Sequence, residues 1–300
     1  MTTRGSARRD VHGWIVLDKP AGMNSTQAVS WLKRIFNAKK AGHAGTLDPL
    51  ATGILPVAFG EATKTVPFVQ DGEKAYRFTV RWGAETDTDD ADGTVVAQSE
   101  LRPAEAEIVA LLPRFIGTIL QLPPSYSAIK INGERAYDLA RDGEALVLTP
   151  RPVTIHALEL ISSETGETVF EARCGKGTYV RAIARDLGRL LGCYGHVSSL
   201  RRTRVGPFYE KDAVTLAQLE DPASRPLALR RVESGLMEVP RIAVDSSAAA
   251  RLRRGQPLLL RGPDAPLEGS VYAACGGVVV AIGAIEKGEL VPGRVFNLPL

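Results

Sequence analysis

One short segment, Gly42–Pro49, constrains this chain more than any other. It places a histidine, two glycines and an aspartate directly ahead of a proline, a composition that neither a helix nor an interior strand tolerates. Gly45 permits a positive φ, and Pro49 restricts Asp48 to extended backbone. Asp48 therefore lies on a stiff loop, which by itself is typical of a surface turn with an Asx hydrogen bond.

The segment that follows, 50–57, argues against a plain surface turn. It is apolar and bracketed by glycine and proline, which predicts a buried stretch. A polar loop that runs directly into the core is a setting in which a single carboxylate becomes catalytic. We therefore expect Asp48 to be a functional group.

The composition limits the classes of protein to which the chain can belong. Its 300 residues suffice for one large domain and a small one, and a net charge of +3 neither requires nor excludes a nucleic-acid partner. The three cysteines, Cys174, Cys193 and Cys275, are far apart and predict no disulfide framework, which favours a reducing cytoplasm. Residues 1–10 predict a flexible tail rather than a secretory signal, and the longest apolar run, 278–285, is too short to span a bilayer.

Apolar periodicity predicts both helices and strands. Spacing of about four residues predicts a helix that begins at Asn24 or Ser25, and alternation over 75–82 predicts a half-buried strand that carries Tyr76. Further strands are predicted over 153–162 and 168–174, and further helices over 103–112, 133–141 and 182–191. Short glycine-bounded apolar runs after Pro240 predict a small β-barrel of about sixty residues.

Residue spacing excludes several common kinds of site. No cluster of His, Cys and Asp has metal-ligand spacing, and the acidic run 83–93 lacks the first ligand and the final glutamate of a calcium loop. Lys176 lies between two glycines, but the spacing of a nucleotide-binding loop is missing. What remains is one constrained carboxylate, tyrosine and arginine candidates, and a basic cluster at 201–204. This set fits covalent carboxylate chemistry on a sugar or base held by an anionic polymer.

Five motifs carry a resemblance to a known family. The segment GHAGTLDPLATGILPVAFGEATK closely resembles the active-site motif of the TruB family of tRNA pseudouridine synthases. Further motifs match in the family's order between about residues 12 and 210, among them KPAGMNS, PPSYSAIKINGERAYDLARDG and LRRTRVGPF. The resemblance is weaker after residue 237.

The resemblance implies an α+β architecture. We expect a pseudouridine-synthase fold over 11–236, with a mixed, mainly antiparallel sheet flanked by helices, after a flexible tail over 1–10. A β-rich, PUA-like RNA-binding domain is expected over 237–300. The implied partner is tRNA, gripped at the T-arm and the acceptor stem by a monomer. No metal or cofactor is expected, because the product of the reaction is an isomer of the substrate.

The resemblance also implies the catalytic residues. Asp48 would be the nucleophile, and Tyr76 would stack on the flipped uracil and move the C5 proton. Arg181 would pair with Asp48 and so favour the ionised form that a nucleophile needs.

The remaining site residues come from the same resemblance. His43 would replace lost stacking, and Asp90 would join an Arg–Asp network beside the nucleophile. Arg202 and its neighbouring arginines would meet the RNA backbone, although a solvated charged surface is the usual explanation of such a run. The substrate-binding residues expected in this way are His43, Lys19, Asp90, Tyr179, Leu200, Lys130, Arg141 and Arg202.

Two other functions stay open at the level of the sequence. One is a tRNA-binding or RNA-folding chaperone in which catalysis is secondary. The other is a hydrolase with a retaining carboxylate pair, which needs a second carboxylate about 5 Å from Asp48. Asp90 is the candidate for that second group. The choice between attack at C1′ of the ribose and attack at the base also stays open.

Overall fold

The protein, a computed structural model, is described for residues 7–127, 130–131, 134–135, 148–260 and 268–300. Its strands are β1 (Gly13–Lys19), β2 (Ala41–His43), β3 (Thr52–Phe59), β4 (Lys74–Trp82), β5 (Ala84–Thr86), β6 (Val95–Gln98), β7 (Gly117–Gln121), β8 (Lys130–Ile131), β9 (Glu134–Arg135), β10 (Arg151–Glu164), β11 (Glu167–Cys174), β12 (Gly195–Val205), β13 (Phe208–Tyr209), β14 (Arg241–Ala243), β15 (Leu258–Leu259), β16 (Ser270–Cys275), β17 (Val278–Glu286) and β18 (Glu289–Val295). Its α-helices are α1 (Ser25–Ile35), α2 (Val66–Asp71), α3 (Glu105–Leu111), α4 (Val180–Leu190), α5 (Leu216–Glu220), α6 (Ser224–Ala228) and α7 (Ser246–Arg253). Within these described residues, no helix is both long and apolar enough to cross a bilayer.

A nine-stranded sheet forms the larger part of the fold. Its main path is β1-β3-β12-β4-β11-β10-β7, with β2 paired to β3 and β13 paired to β12. The pair β3–β12 is parallel, and the other pairs of this sheet are antiparallel. The expected mixed, mainly antiparallel sheet is therefore confirmed.

The parallel pair matters most for the site, because β3 follows the Asp48 loop. The register joins Thr52 to Arg201 and Gly53 to Arg202. Gly53 has a φ of +94°, and a Cβ at this position would lie 2.3 Å from the carbonyl oxygen of Arg202. Glycine is needed here because no other residue tolerates both the backbone conformation and the close approach. The apolar stretch predicted to be buried is thus a core strand, β3.

The flanking helices follow from their sequence patterns. Asn24 caps α1, accepting a hydrogen bond from the Gln27 N–H, as the sequence predicted. Leu32 of α1 and both Ile183 and Leu187 of α4 are fully buried in the core cluster beside the sheet. Amphipathic helices of this kind are stabilised mainly by such packing.

Two predicted helices differ from the structure. The helix expected over 103–112 begins at Glu105, with Ala104 as its N-cap, and it continues from Leu112 as a 3-10 turn. The helix expected over 133–141 is wrong at Glu134–Arg135, which form strand β9 paired to β8. The rest of that segment lies outside the described residues. The strands predicted over 153–162 and 168–174 are confirmed as β10 and β11.

A second sheet of five strands occupies the C-terminal part, in the order β14-β16-β17-β18-β15. Its apolar residues join those of the first sheet in one cluster, in which Trp14 and Val16 pack with Ile282 and Phe296. The boundary at residues 236 and 237 and the PUA-like character of this part stay predictions.

Candidate active site

Hydrogen bonds hold the Asp48 loop on both sides of the aspartate. Ser25 Oγ donates to the Leu47 carbonyl at 3.0 Å and accepts from the Leu47 N–H at 2.8 Å. On the other side, the Gly22 N–H donates to the Pro49 carbonyl at 2.9 Å. The KPAGMNS segment, residues 19–25, therefore fixes the Asp48 loop through its backbone groups.

Lys19 also supports the Asp48 loop. Its fully buried side chain donates through Nζ to the carbonyls of Pro20, Met23 and Pro49 at 2.9, 2.7 and 3.4 Å. Burial lowers the pKa of this ammonium to about 8, although Asp48 has the opposite effect. The side chain is thus enclosed and bonded to the backbone of the loop, and its expected contact with substrate stays a prediction.

Arg181 connects Asp48 to the rest of the site. Its Nε lies 2.9 Å from Asp48 Oδ2, and the expected ion pair is confirmed. The guanidinium also donates to the carbonyls of Thr88 at 2.7 Å and Tyr126 at 2.9 Å. The Arg181 side chain is 5% exposed, whereas that of Asp48 is 35% exposed. The Arg181 guanidinium, held by these hydrogen bonds, thus orients the Asp48 carboxylate, which solvent and ligands can reach.

Asp90 lies behind this pair. Its Oδ2 is 3.6 Å from Arg181 Nη1, so that the expected Arg–Asp network is present. Thr88 Oγ1 and the Asp92 N–H donate to the other carboxylate oxygen at 2.6 and 3.1 Å. Burial raises the pKa of Asp90, with Thr88 and Arg181 opposing the shift. Asp90 is 5% exposed, which fits a supporting group rather than a second catalytic carboxylate.

A cavity of about 390 Å³ opens beside Asp48. This size lies within the range typical of small-ligand sites, roughly 300–1,000 Å³. Tyr76, Tyr179, Arg181 and Leu200 line it together with Asp48, as the family resemblance implied. The other lining residues are Gly45, Thr46, Leu47, Gln70, Asp71, Lys74, Ser127, Lys176, Gly177, Thr178, Val180 and Arg202.

Tyr76 presents a neutral phenol to this cavity. Burial raises the pKa of its hydroxyl to about 12, although the nearby Arg202 has the opposite effect. The two residues face each other in the register of β4 and β12. The ring of Tyr76 is therefore an uncharged aromatic wall at neutral pH.

Arg202 is buried beside the Asp48 loop. It is 1% exposed, and its guanidinium donates to the carbonyls of Gly45, Thr46 and Ile54 at 3.1, 3.1 and 2.8 Å. This buried cation holds the Asp48 loop through three carbonyls, and its predicted contact with the RNA backbone stays a prediction. Its neighbours in the cluster form ion pairs, Arg201 with Asp18 and Glu210 and Arg204 with Glu73 and Glu238.

Three further expected substrate-binding residues are not found among the described residues that line the cavity. His43 lies half-buried on β2 and does not line it. Lys130 is described only through the backbone of β8, and Arg141 lies outside the described residues. Their contacts with substrate stay predictions.

Sequence reasoning missed several residues of the site. Gln121 forms two hydrogen bonds with the backbone of Tyr179. Its Nε2 donates to the Tyr179 carbonyl at 3.1 Å, and its Oε1 accepts from the Tyr179 N–H at 2.8 Å. Asp71, Lys74 and Lys176 lie on the cavity wall. Only Lys176 gave a signal in the sequence, through its two flanking glycines. No group of residues suited to hold a metal ion occurs in the described part of the chain.

Comparisons with known proteins show the family to which the chain is related. A family model described as the N-terminal domain of TruB family pseudouridylate synthase matches residues 33–180. A second, described as the C-terminal domain of tRNA pseudouridylate synthase B, matches residues 181–232. A relative named tRNA pseudouridine synthase B, from Bradyrhizobium diazoefficiens, is 62% identical and covers 97% of this chain and 87% of its own.

The chain belongs to the TruB family of pseudouridylate synthases. A TruB relative from Rhodopseudomonas palustris, also named tRNA pseudouridine synthase B, is 61% identical over 97% of this chain and 82% of its own. Among solved structures, a crystal structure of a Cbf5-Nop10-Gar1 complex contains a similar chain, with a TM-score of 0.74, 27% identity and coverage of 95% of this chain and 84% of that one. The expected fold and the expected pseudouridine-synthase enzyme class are confirmed.

Proposed function

We propose that this TruB enzyme acts in the cytoplasm and converts uridine 55 in the T-loop of tRNA to pseudouridine, with Asp48 as the nucleophile. The observation that carries the proposal is the pairing of a partly exposed Asp48 carboxylate with the buried Arg181 guanidinium, 2.9 Å away, on the wall of a cavity of suitable size. The two relatives named tRNA pseudouridine synthase B support the choice of tRNA as the substrate.

The reaction begins with the target nucleotide outside its stack. Extruding a base from folded RNA costs a few kcal/mol, which contacts in the cavity must offset. The apolar side chain of Leu200 and the rings of Tyr76 and Tyr179 supply walls for a uracil. His43 would occupy the space that the base leaves.

Asp48 would then attack either C1′ of the ribose or the base, and the bond between C1′ and N1 breaks with its electron pair going to N1. The uracil rotates and C5 forms the new bond to C1′, while the bond to Asp48 breaks and the free carboxylate is regenerated. The C5 proton then leaves and N1 takes up a proton, so that the product is an isomer of the substrate. A phenol with a pKa of about 12 is protonated at neutral pH, so that Tyr76 is a poor free-standing base. We therefore assign Tyr76 to stacking and to a relay, in which it accepts the C5 proton while its own proton passes to water.

The two parts of the chain would divide the binding of tRNA. Residues 11–236 would hold the T-arm at the cavity, and residues 237–300, as a PUA-like domain, would grip the acceptor stem of tRNA bound by a monomer. The apolar cluster that joins Trp14 to Phe296 supports a fixed spacing between the two contacts.

A single incubation separates this function from its rivals. Purified protein is mixed with unmodified tRNA, and the products are examined for pseudouridine at position 55 and for free uracil. Isomerisation gives pseudouridine without free base, a glycosidase releases uracil, and an RNA chaperone gives neither. The hydrolase is disfavoured because Asp90, the only candidate that we identified for its second carboxylate, is buried behind Arg181.

Replacement of the nucleophile is the sharpest mutational test. Asp48→Asn keeps the size of the side chain and removes the charge that attacks, so pseudouridine formation should be lost. Binding of tRNA should stay within roughly tenfold of wild type, because one exposed charge contributes little to a large polyanion interface. Asp10→Asn, at an exposed carboxylate paired with Lys39 outside the cavity, is the matched control. A turnover rate near wild type for Asp48→Asn would falsify the assignment.

A further inference from the structure

An exposed ion pair at the rim of the cavity has no part in the catalytic network. Lys176 Nζ lies 2.9 Å from Asp71 Oδ1, with the two side chains 71% and 59% exposed. Asp71 ends α2, and Lys176 lies in the loop between β11 and α4. Both residues line the same cavity as Asp48.

This pair contributes little to stability. Exposed ion pairs typically contribute about 0–1 kcal/mol, because water screens the charges and both side chains lose freedom. Such a pair can be broken at small cost when a better anion arrives. Its place on the wall of a catalytic cavity therefore needs an explanation other than folding.

In the described structure, the other cations that line the cavity are buried and donate hydrogen bonds to backbone carbonyls. Arg181 and Arg202 are buried and bonded to backbone carbonyls. Lys74 is 8% exposed and donates to the carbonyls of Gln70 and Gly72. Lys176 differs from these because it combines high exposure with a carboxylate partner that is itself exposed.

We propose that Lys176 binds a phosphodiester next to the flipped nucleotide, and that Asp71 holds this cation in the free enzyme and is displaced by the RNA. The inference rests on the proposed function, since it requires an RNA substrate. Asp71 acts as a stand-in anion that keeps Lys176 at the rim and also competes with the substrate for it. The four lining cations outnumber the two lining carboxylates, Asp48 and Asp71, which favours an anionic ligand.

The loop that carries Lys176 is suited to this role. Gly177 has a φ of +85°, which turns the chain sharply after the lysine. Tyr179 and Arg181 follow three and five residues after Lys176, and Gln121 fixes the backbone of Tyr179. A phosphate held by Lys176 is thus tied by a short segment to the residues that would hold the base.

Two substitutions with opposite expected effects test the proposal. In the full-length protein, Lys176→Gln should weaken the binding of unmodified tRNA by roughly five- to tenfold, and the slope of log K against log salt should shrink by about 0.7–0.9, as for one lost phosphate contact. Asp71→Asn should tighten binding by roughly two- to fivefold, because the competing anion is removed. Both changes should appear in KM, with kcat at saturating tRNA within about twofold of wild type.

The controls separate this inference from a general charge effect and from failure of the proposed function. Lys39→Gln and Asp10→Asn make the same charge changes in an exposed pair outside the cavity, and they should leave binding unchanged. The gain from Asp71→Asn should largely vanish in the Lys176→Gln background, and a gain that persists in full would overturn the exchange. Wild-type protein that neither binds nor modifies tRNA refutes the proposed function itself. Wild-type activity with no opposite shifts in the two variants refutes only the role of the ion pair.

Discussion

At the scale of single residues, Lys19 connects the stability of the fold to the position of Asp48, the proposed nucleophile. Lys19→Met removes the donor to three carbonyls, including that of Pro49 beside Asp48. A buried acceptor left without a partner costs about 1–3 kcal/mol. The three carbonyls are only partly buried, so we expect the variant to lose about this free energy of unfolding and to have a lower kcat, as measured by denaturant titration and tRNA turnover. Lys39→Met, which removes an exposed ammonium, should change neither quantity.

The pH dependence of this loss distinguishes a buried cation from simple repacking. The pKa of the Lys19 ammonium is about 8 in the folded protein, against an ordinary 10.5. Between these values the unfolded chain binds a proton that the folded chain does not, so the free energy of unfolding rises with pH in this window. The stability advantage of wild type over Lys19→Met should therefore be smallest below pH 8 and grow towards pH 10.5. A difference that is constant over this range contradicts a depressed pKa.

Single residues also show which features of the site can be predicted from sequence and which cannot. Asp48 was found from its loop because glycine and proline reveal backbone constraints directly. Lys19 and Arg202 were assigned to substrate through the family resemblance, which does not show that both side chains are buried. Successive residues of a strand point to opposite faces, so Arg202 enters the core while Arg201 reaches Asp18 and Glu210. That division depends on the place of β12 inside the sheet, which local patterns do not give.

At the scale of elements, Gln121 at the end of β7 positions the start of α4. Gln121→Leu keeps the volume of the side chain and removes both hydrogen bonds to the backbone of Tyr179. Small misplacements of residues that position a substrate can reduce rates strongly, so kcat/KM should fall roughly 10- to 100-fold. Leu120→Ala on the same strand, where the side chain is 73% exposed, should leave tRNA turnover unchanged. Wild-type kcat/KM in Gln121→Leu contradicts a positioning role.

Elements with a strong apolar period were predictable, and a two-residue strand held only by pairing with its neighbour was not. The periodicity of α1, β4 and α4 agrees with the faces that they bury. At Glu134–Arg135 a helical composition was overridden, because the backbone pairs with β8 as a hairpin. Pairing partners several residues away decide such cases, and a propensity of a few tenths of a kcal/mol per residue does not.

At the scale of the whole molecule, one apolar cluster spans the two sheets. Trp14 and Val16 of β1 pack in the same cluster as Tyr272 of β16 and Ile282 of β17. Polar contacts reinforce the junction, since Lys64 Nζ donates to the Val295 carbonyl at 2.8 Å. This junction was not foreseen from sequence, because short β-rich runs do not show which surface they will cover.

A shared cluster implies that the two sheets unfold together. Phe296 is fully buried in it, and Phe296→Ala should lower the free energy of unfolding by about 3–5 kcal/mol. Because the cavity left behind is bounded by residues of both sheets, calorimetry should show one transition at a lower Tm rather than the loss of a separate C-terminal transition. Leu300→Ala, where the side chain is 57% exposed, should leave Tm nearly unchanged. The contrary result is two transitions in the wild-type protein, only one of them sensitive to Phe296→Ala. It would show that the two sheets unfold as independent units. The cluster would then not fix the spacing between the proposed T-arm and acceptor-stem contacts.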